Sequence, residues 1–486
     1  MDIAAFLLKL VQGGLANLAA YLAAHVLLCL VPAFGIAGCM AALIPKDTVT
    51  RFLGRNTPRL LSYPAATLAA SVLAVCSCTI VPLFAGIYKK GAGLGPAITF
   101  LFFAPAANIL ALVYTGGIIG VDLAIARLLL SLTFGIGIGM IMALIFRRED
   151  LAHDEETTAI FAGQSKMRRP VLFFILALVT LLLGGVFKID LLTRAYLQVT
   201  LPLPGVNRFQ ELLFSLAPFD PSKGEEGVST QGAILISLLI GIGLTAWKGL
   251  ENITEGTNNW TFAALGLTAL TLFTASLGMT PGADGLTLLL TGKSLAVASS
   301  LLLLTYLARQ HLEPQEVRDW LWETWRFVKQ IFPLLVVGVF LVGVIRQLIN
   351  PVWIQYVAGE NTLLGNLAGV VFGVFMYFPT LVEVPIAKMF LSLGMHRGPL
   401  LAYLMADPEL SLQSILITTT ILGKLKTWTY VGWVALFSTT AGLLYGSWVN
   451  GASLWLIAIY LVVFMVVLTL ALWVASRRPS QPVLAA

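Results

Sequence analysis

Long apolar runs follow one another along almost the whole chain, separated by short polar segments. Most runs are about 20 residues long, the length that an α-helix needs to cross the hydrocarbon core of a bilayer. The weaker alternation that marks the strands of a membrane β-barrel is absent. The pattern predicts an all-α polytopic membrane protein with roughly 11 to 13 transmembrane helices, at about 20–44, 61–85, 96–119, 124–146, 170–187, 229–247, 260–279, 286–308, 325–346, 365–390, 398–421, 428–448 and 453–475.

Three polar segments interrupt these runs. Residues 147–169 and 188–228 read as loops because they carry charges, with proline and glycine in the second. Residues 309–329 place charged side chains among tryptophans, which is typical of an amphipathic helix at a membrane surface. We expect this helix to lead directly into the next span.

A proline and glycine skeleton occurs twice, 303 positions apart. Pro82, Gly91, Gly95, Pro96 and Pro105 return as Pro385, Gly394, Gly398, Pro399 and Pro408. Matching intervals between rare residues predict two internal repeats, at about 20–146 and 325–448. The resulting domains are 1–147 (first repeat), 148–324 (polar loops, about four linking helices and the amphipathic helix), 325–450 (second repeat) and 451–486 (final helix and tail). Whether the repeats are parallel or inverted stays open, because Lys and Arg show no decisive excess on alternate loops.

Composition supports a membrane class and argues against several others. The 486 residues are 58% hydrophobic and 11% charged, with a mean hydropathy of +0.89. The net charge of +6 comes from scattered basic residues, so we expect contact with anionic lipid and no nucleic acid. The four cysteines all lie in apolar runs, which argues against a disulfide framework. Nucleotide-binding, zinc-protease and nucleophile-elbow motifs are absent, so we predict neither an enzyme nor a cofactor.

The repeated prolines are the first candidates for a binding site. A proline inside a helix leaves the carbonyl four residues earlier without its amide partner. In lipid such a carbonyl must be satisfied by protein, water or a ligand. Broken helices that face one another would therefore line a cavity; the alternative is that the prolines only kink packed helices. Asn108 and Ser411 occupy matching polar positions after Pro105 and Pro408.

The two copies carry different chemistry around this skeleton. The first has Cys76 and Cys78, whose thiolates favour soft species such as arsenic(III) compounds or Cu(I). Two thiols at this spacing bind one ion only where the helix unwinds, which Pro82 favours. The alternative is that the cysteines behave as small buried hydrophobes.

The second copy has Glu383, Asp407 and Glu409 in apolar sequence. Carboxyl groups at such positions usually face the interior of a helix bundle and often relay protons, so all three are candidates for proton coupling. Lys388 is at best a loose partner of Glu383. As an alternative, Asp407 and Glu409 cap a half-helix that begins near Pro408.

Together these arguments define the candidate site residues. The two cysteines are also the candidate metal ligands. The predicted substrate-binding residues are Cys76, Ser77, Cys78, Thr79, Pro82, Pro105, Asn108, Thr380, Pro385, Pro408 and Ser411.

The first motif and its surroundings resemble a known family. The segments Cys76-Ser-Cys-Thr-Ile-Val-Pro82, Lys89-Lys90-Gly91 and Ala104-Pro105-Ala-Ala-Asn108 are similar to those of the predicted permeases grouped with the organoarsenical (ArsP-type) exporters. The segment from Thr380 to Pro408 is similar to the second half of one branch of that group. The resemblance implies a bacterial or archaeal inner-membrane permease that exports trivalent organoarsenicals with proton coupling, using Cys76 and Cys78 as thiol ligands.

The leading hypothesis is therefore a secondary permease in the cytoplasmic membrane for a small thiophilic solute. One alternative is a transmembrane thiol-redox carrier in which Cys76 and Cys78 form a strained, labile disulfide and exchange electrons with a thioredoxin-like partner. Another is a membrane component of a larger assembly with no transport of its own. The expected partners are a small-molecule or ion substrate and membrane lipid, and a homo-oligomer is compatible with the sequence.

Overall fold

The structure is a computed structural model that describes residues 3–23, 26–72, 77–160, 168–186, 190–203, 205–216, 227–282, 285–346, 348, 351–375 and 380–477. Up to residue 160 the chain forms helices at Ile3–Ala23 (α1), Val26–Ala42 (α2), Lys46–Leu53 (α3), Arg59–Val72 (α4), Ser77–Lys89 (α5), Leu94–Ala107 (α6), Ile109–Ile118 (α7), Val121–Ile145 (α8) and Arg147–Ile160 (α9). Part of the predicted loop at 147–169 is thus helical. Acidic residues in the first turn of α9 interact favourably with its helix dipole.

The middle of the chain links the two predicted repeats. It contains Arg169–Val186 (α10), Asp190–Thr193 (α11), Ala195–Leu201 (β1), Val206–Leu216 (α12), Thr230–Leu250 (α13), Asn259–Ser276 (α14), Gly278–Gly282 (β2), Gly285–Thr291 (β3), Gly292–Gln310 (α15) and Pro314–Arg346 (α16). The amphipathic segment and the next span form the single helix α16, as the sequence predicts.

A small antiparallel sheet in this region departs from the predicted all-α class. Its strand order is β1-β3-β2, and Leu288 of β3 lies opposite Val199 of β1 and Met279 of β2. The sequence analysis assigned β3 to a span at 286–308. A short apolar run does not distinguish a strand from the start of a buried helix, which explains the difference.

The last part of the chain reproduces the order of elements seen in the first part. It contains Pro351–Ala358 (α17), Leu363–Phe375 (α18), Thr380–Ser392 (α19), Arg397–Leu410 (α20), Leu412–Leu422 (α21), Lys424–Val449 (α22) and Leu454–Arg477 (α23). Helices α19 to α22 each begin 303 positions after α5 to α8. Gly91 and Gly394, which end the matched helices α5 and α19, have φ angles of 90° and 92°, a conformation that favours glycine.

Several helices have the length and composition of membrane spans. Within the described residues, four helices meet both criteria, and a fifth span results if the bent pair of α20 and α21 counts as one. The four are at 94–118 (α6 with α7), 121–145, 230–250 and 314–345. Other apolar helices are shorter, including parts of α2, α10, α18 and α23. The predicted total of 11 to 13 spans stays a prediction.

Helices α4 and α5 form a hairpin where the sequence analysis predicted one span at 61–85. Leu53, before α4, accepts a hydrogen bond from the Gly93 amide, after α5, at 2.8 Å. Gly54 and Ala92 form an isolated β-bridge beside it. The start of α4 and the end of α5 therefore lie at the same end of the bundle. Each is 13 or 14 residues long and so extends about 20 Å.

Helices α18 and α19 form a second hairpin in place of the predicted span at 365–390. The His396 amide, after α19, donates to the Ala358 carbonyl, before α18, at 2.9 Å. Both arms are apolar, so hydropathy alone does not distinguish this hairpin from one continuous helix. We call α4–α5 the first hairpin and α18–α19 the second hairpin.

Helices α8 and α22 pack side by side in opposite directions. At one end the Tyr445 hydroxyl of α22 donates to Asp122 of α8 at 2.7 Å. At the other end Lys426, at the start of α22, pairs with Glu149, just beyond α8, at 2.9 Å. These two matched helices are therefore antiparallel.

The second hairpin gives a topological prediction. Glu360 and Ser392 are exposed and bracket it. In a protein whose four native cysteines are replaced by alanine, we expect Glu360→Cys and Ser392→Cys to react with a membrane-impermeant maleimide from the same side. A continuous span would place them on opposite sides. As a control, Lys424→Cys and Asn450→Cys, at the two ends of α22, should react from opposite sides.

Candidate functional site

The first helix break is built around Asn108. This residue has extended backbone angles (φ −69°, ψ 159°) and separates α6 from α7. Its side-chain amide donates to the Ala104 carbonyl at 2.8 Å, and its side-chain oxygen accepts from the Ala111 amide at 2.8 Å. Asn108 thus satisfies one backbone group on each side of the break, which is needed at a buried position.

The second break lies 303 residues later, at Ser411. Its backbone is also extended (φ −55°, ψ 140°), and α20 and α21 meet at an angle of 46°. The Ser411 hydroxyl accepts from the Ser414 amide at 3.4 Å, so it caps α21. The sequence analysis selected both break residues.

A fully buried arginine joins the first break to the second predicted copy. Arg127 of α8 donates from Nε to the Ala106 carbonyl at 2.6 Å and from Nη1 to Thr115 Oγ1 at 3.2 Å. Its Nη2 donates to Glu383 Oε1 at 3.0 Å. The Ala106 carbonyl lies directly before the break, and the arginine supplies its hydrogen bond. The exposed fractions of the Arg127 and Glu383 side chains are 0% and 1%, so the pair is shielded from water.

Glu383 lies in the first turn of α19, close to the tip of the second hairpin. The sequence analysis considered Lys388 as its partner, but Arg127 has this role because it approaches from another helix. The pair is monodentate: Glu383 Oε2 is buried and has no hydrogen-bond partner within the described part of the chain. The site therefore retains an acceptor position that a proton or a ligand could use.

Glu409 has a different partner at the matched position of the second copy. The Tyr430 hydroxyl donates to Glu409 Oε2 at 2.5 Å, and both residues are buried. Tyr430 lies 303 positions after Arg127, and Glu409 lies 303 positions after Ala106. At the matched positions of the predicted repeats, a neutral donor and a carboxyl group thus stand where the first repeat has a guanidinium and a backbone carbonyl.

The proposed capping role of Asp407 and Glu409 is wrong. Both residues, like Pro408, lie in the last turn of α20, and Ser411 caps the following helix. Asp407 is fully buried where α18 packs closely against α20. A side chain at Gly373 would come within 2.8 Å of the Asp407 backbone nitrogen, so this contact requires a glycine.

The remaining predicted site residues are described in part. Cys76 lies outside the described residues, as do the side chains of Ser77, Cys78, Thr79 and Thr380. Pro82, Pro105, Pro385 and Pro408 all lie inside helices. No group of three His, Cys, Asp or Glu side chains that could hold a metal occurs among the residues that were described. The thiol site stays a prediction.

Sequence reasoning missed Arg127 and Tyr430. Arg127 stands alone in the apolar run 124–146, and a single charge in such a run usually marks a functional or paired position. The sequence therefore contained a signal that could have identified Arg127. Tyr430 carried no comparable signal, because tyrosine is common near the ends of membrane helices.

Further polar contacts lie at the two ends of the bundle. Arg397, at the start of α20, pairs with Asp122 at 2.9 Å. At the opposite end the Leu94 amide donates to Asp150 at 2.9 Å. Burial raises the pKa of the Asp150 carboxyl above its usual value, although the Leu94 hydrogen bond and the charge of Arg55 oppose this shift. These contacts hold the helix ends in place, whereas the pair of Arg127 and Glu383 lies between the two ends of the bundle.

Removing one member of the buried pair should be strongly destabilising. We expect Arg127→Gln to lower the free energy of unfolding by about 3–5 kcal/mol, because it leaves the Glu383 carboxylate buried without its counter-ion. Adding Glu383→Gln to this variant should restore most of the lost free energy of unfolding. Thermal unfolding in detergent would measure both effects.

The matched control for this prediction is Arg397→Gln. Its side chain is 32% exposed, so the expected loss is below about 1 kcal/mol. Equal effects of the two arginine substitutions, or no recovery in the double variant, would contradict a dominant buried ion pair.

Comparisons with known proteins agree with the resemblance seen in the sequence. A family described as predicted permeases (ArsP type) matches residues 12–447. A UPF0718 protein from Methanocaldococcus jannaschii is 30% identical over 451 residues, which cover 92% of this chain and 98% of that protein. No solved structure matches the chain. Because the family match spans most of the sequence, the chain belongs to the ArsP-type family of predicted permeases.

Proposed function

We propose that this protein is a secondary permease whose transport site lies between the two hairpins and the two helix breaks. The observation that carries the proposal is the buried pair of Arg127 and Glu383. It connects α8, the backbone break after α6 and the start of α19, which belong to different predicted copies. An ion pair in apolar surroundings is expensive to maintain and is typical of solute or proton pathways.

The arrangement of the matched helices favours inverted repeats. α8 and α22 run antiparallel, and the two hairpins enter from opposite ends of the bundle. Helix α19 packs against α7, and the matched helix α5 packs against α21. This exchange of partners is what a two-fold axis in the membrane plane would produce. Transporters with inverted repeats bind their substrates near the membrane midplane, at broken helices of this kind.

Glu383 is our choice for the proton-coupling residue. Protonation would remove its negative charge and weaken its hold on Arg127, which would loosen the contact between α8 and the second hairpin. The proton can thereby change the relative stability of two arrangements of these elements. Asp407 and Glu409 remain further candidates for proton coupling, and Glu409 keeps a buried oxygen without a partner among the described residues.

The proposed substrate is a small thiophilic solute such as a trivalent organoarsenical. This proposal rests on the thiols of Cys76 and Cys78 and on the family resemblance. In the sequence, residue 76 directly precedes α5 and residue 78 is its second residue. The same resemblance supports export across a bacterial or archaeal inner membrane.

Coupling can be tested in proteoliposomes loaded with a trivalent arsenical. We expect an imposed pH gradient to change the rate of flux through the wild-type protein. Glu383→Gln, once gel filtration has shown that it is folded, should abolish this response, yet retain solute exchange at equal pH, because glutamine cannot carry the proton. Lys388→Gln is the control on the same helix, since Lys388 is exposed. An unaltered pH response in Glu383→Gln would rule out its role in coupling.

The cysteines can be tested separately. Cys76→Ser and Cys78→Ser should each reduce arsenical flux at least tenfold, because serine lacks the soft sulfur ligand. Cys39→Ser should have little effect, since Cys39 is buried and free. Alkylation after cycles of oxidant and reductant would identify the redox alternative. Reversible loss of two reactive thiols without solute flux would support a redox carrier and contradict the permease.

A further inference from the structure

Four helices begin at the interior ends of the hairpins or at the helix breaks. They are α5, α7, α19 and α21, and they pack in two pairs, α7 with α19 and α5 with α21. The N-terminus of a helix carries a partial positive charge and unpaired amide groups. In membrane transporters such half-helix ends often face anionic groups of the substrate. The interior of this bundle therefore favours negative charge, although helix ends alone do not define a ligand.

Arg127 supplies a full positive charge beside one of these pairs. Its guanidinium has five N–H groups, of which the three described hydrogen bonds use three. The other two N–H groups have no acceptor among the described residues. A planar guanidinium with N–H groups that the described residues leave unused is suited to bind a carboxylate or another oxyanion.

Among the described hydrogen-bonded partners of Arg127, only Glu383 carries a negative charge that can balance the guanidinium. When Glu383 takes up a proton, the buried guanidinium loses its counter-ion, and a buried unpaired charge is strongly unfavourable. Helix α19 packs against α7 and α20, and these three helices carry further ionisable groups. These groups are Tyr114 on α7, Lys388 on α19 itself, and Arg397, Tyr403, Asp407 and Glu409 on α20.

We propose that Arg127 binds an anionic group of the transported solute when Glu383 is protonated. The solute class is a small molecule that carries a carboxylate or oxyanion. This inference rests on the proposed transport function and narrows its substrate.

The charges in this scheme balance at each step. In the empty state Arg127 and Glu383 neutralise each other. In the loaded state the proton neutralises Glu383 and the solute anion neutralises Arg127. One proton therefore accompanies each negative charge of the solute, so the loaded site carries no net charge. Transport should be insensitive to membrane potential, and its direction should follow the combined gradients of solute and proton.

The position that matches Arg127 in the predicted second copy carries no positive charge. Tyr430 replaces Arg127, and its neutral hydroxyl is bound to Glu409. The second position thus offers no counter-charge for a solute anion. We assign the anion site to Arg127 alone.

Two related arsenicals test the proposal. Phenylarsine oxide is neutral, and its 4-carboxylate derivative carries one negative charge on the same scaffold. In counterflow exchange in proteoliposomes, which needs no net proton movement, we expect the wild-type protein to exchange the carboxylated compound at least tenfold faster. A potassium gradient with valinomycin should leave the rate unchanged.

The informative variant is Arg127→Gln combined with Glu383→Gln, which removes both charges and leaves no uncompensated group. It should exchange the two arsenicals at equal rates, whereas Lys388→Gln should keep the preference for the carboxylated one. Gel filtration and thermal unfolding would show that the double variant is folded. If it is not, Arg127→Lys serves instead, which keeps the charge but loses the planar fork and should reduce the preference.

The outcomes separate this inference from the proposed function. Exchange of both arsenicals at equal rates by the wild-type protein would overturn the anion site and leave the permease intact. A preference that persists in the double variant would also overturn it. Exchange of neither compound by the folded wild-type protein would contradict the proposed function itself.

Discussion

The need to pair every buried backbone group governs this structure. Apolar surroundings provide no water to replace a lost helical hydrogen bond. Within the described residues the chain nevertheless interrupts helices at two buried positions, and Asn108 or Ser411 provides a hydrogen bond in return at each. Arg127 does the same for the Ala106 carbonyl and adds a charge. The breaks are thus stabilised by side chains that are also suited to bind a ligand.

The charge of Arg127 couples the break to the rest of the protein. A guanidinium buried in this way requires an anion, and the chain supplies Glu383 from a helix more than 250 positions away. The hairpin that carries Glu383 is therefore fastened to α8 by a buried ion pair. In the proposed mechanism the same pair serves function, because a proton on Glu383 or an anion bound to Arg127 would open it.

The sequence predicted the parts of the site that depend on local backbone chemistry. The broken helices and the polar residues Asn108 and Ser411 were selected from the sequence, and the surface segment continues into α16 as expected. The breaks themselves lie at Asn108 and Ser411, three residues after Pro105 and Pro408, whereas the prolines lie inside helices. The sequence analysis assigned each hairpin to a single span, because two apolar arms of about 13 residues resemble one long span in hydropathy. The Arg127–Glu383 contact joins distant positions, so neither spacing nor local pattern could reveal it. The small sheet was missed because its strands are too short for their periodicity to be distinctive.

The differences between the two copies are as informative as their similarity. In the proposed arrangement of inverted repeats, a second arginine at position 430 would add a second buried positive charge. The chain has Tyr430 at that position, with a neutral hydroxyl bound to Glu409, whereas Arg127 is paired with Glu383. Electrostatics therefore gives a physical reason for the asymmetry of the sequence. Under the proposed mechanism a single solute anion would then bind at one defined place, beside Arg127.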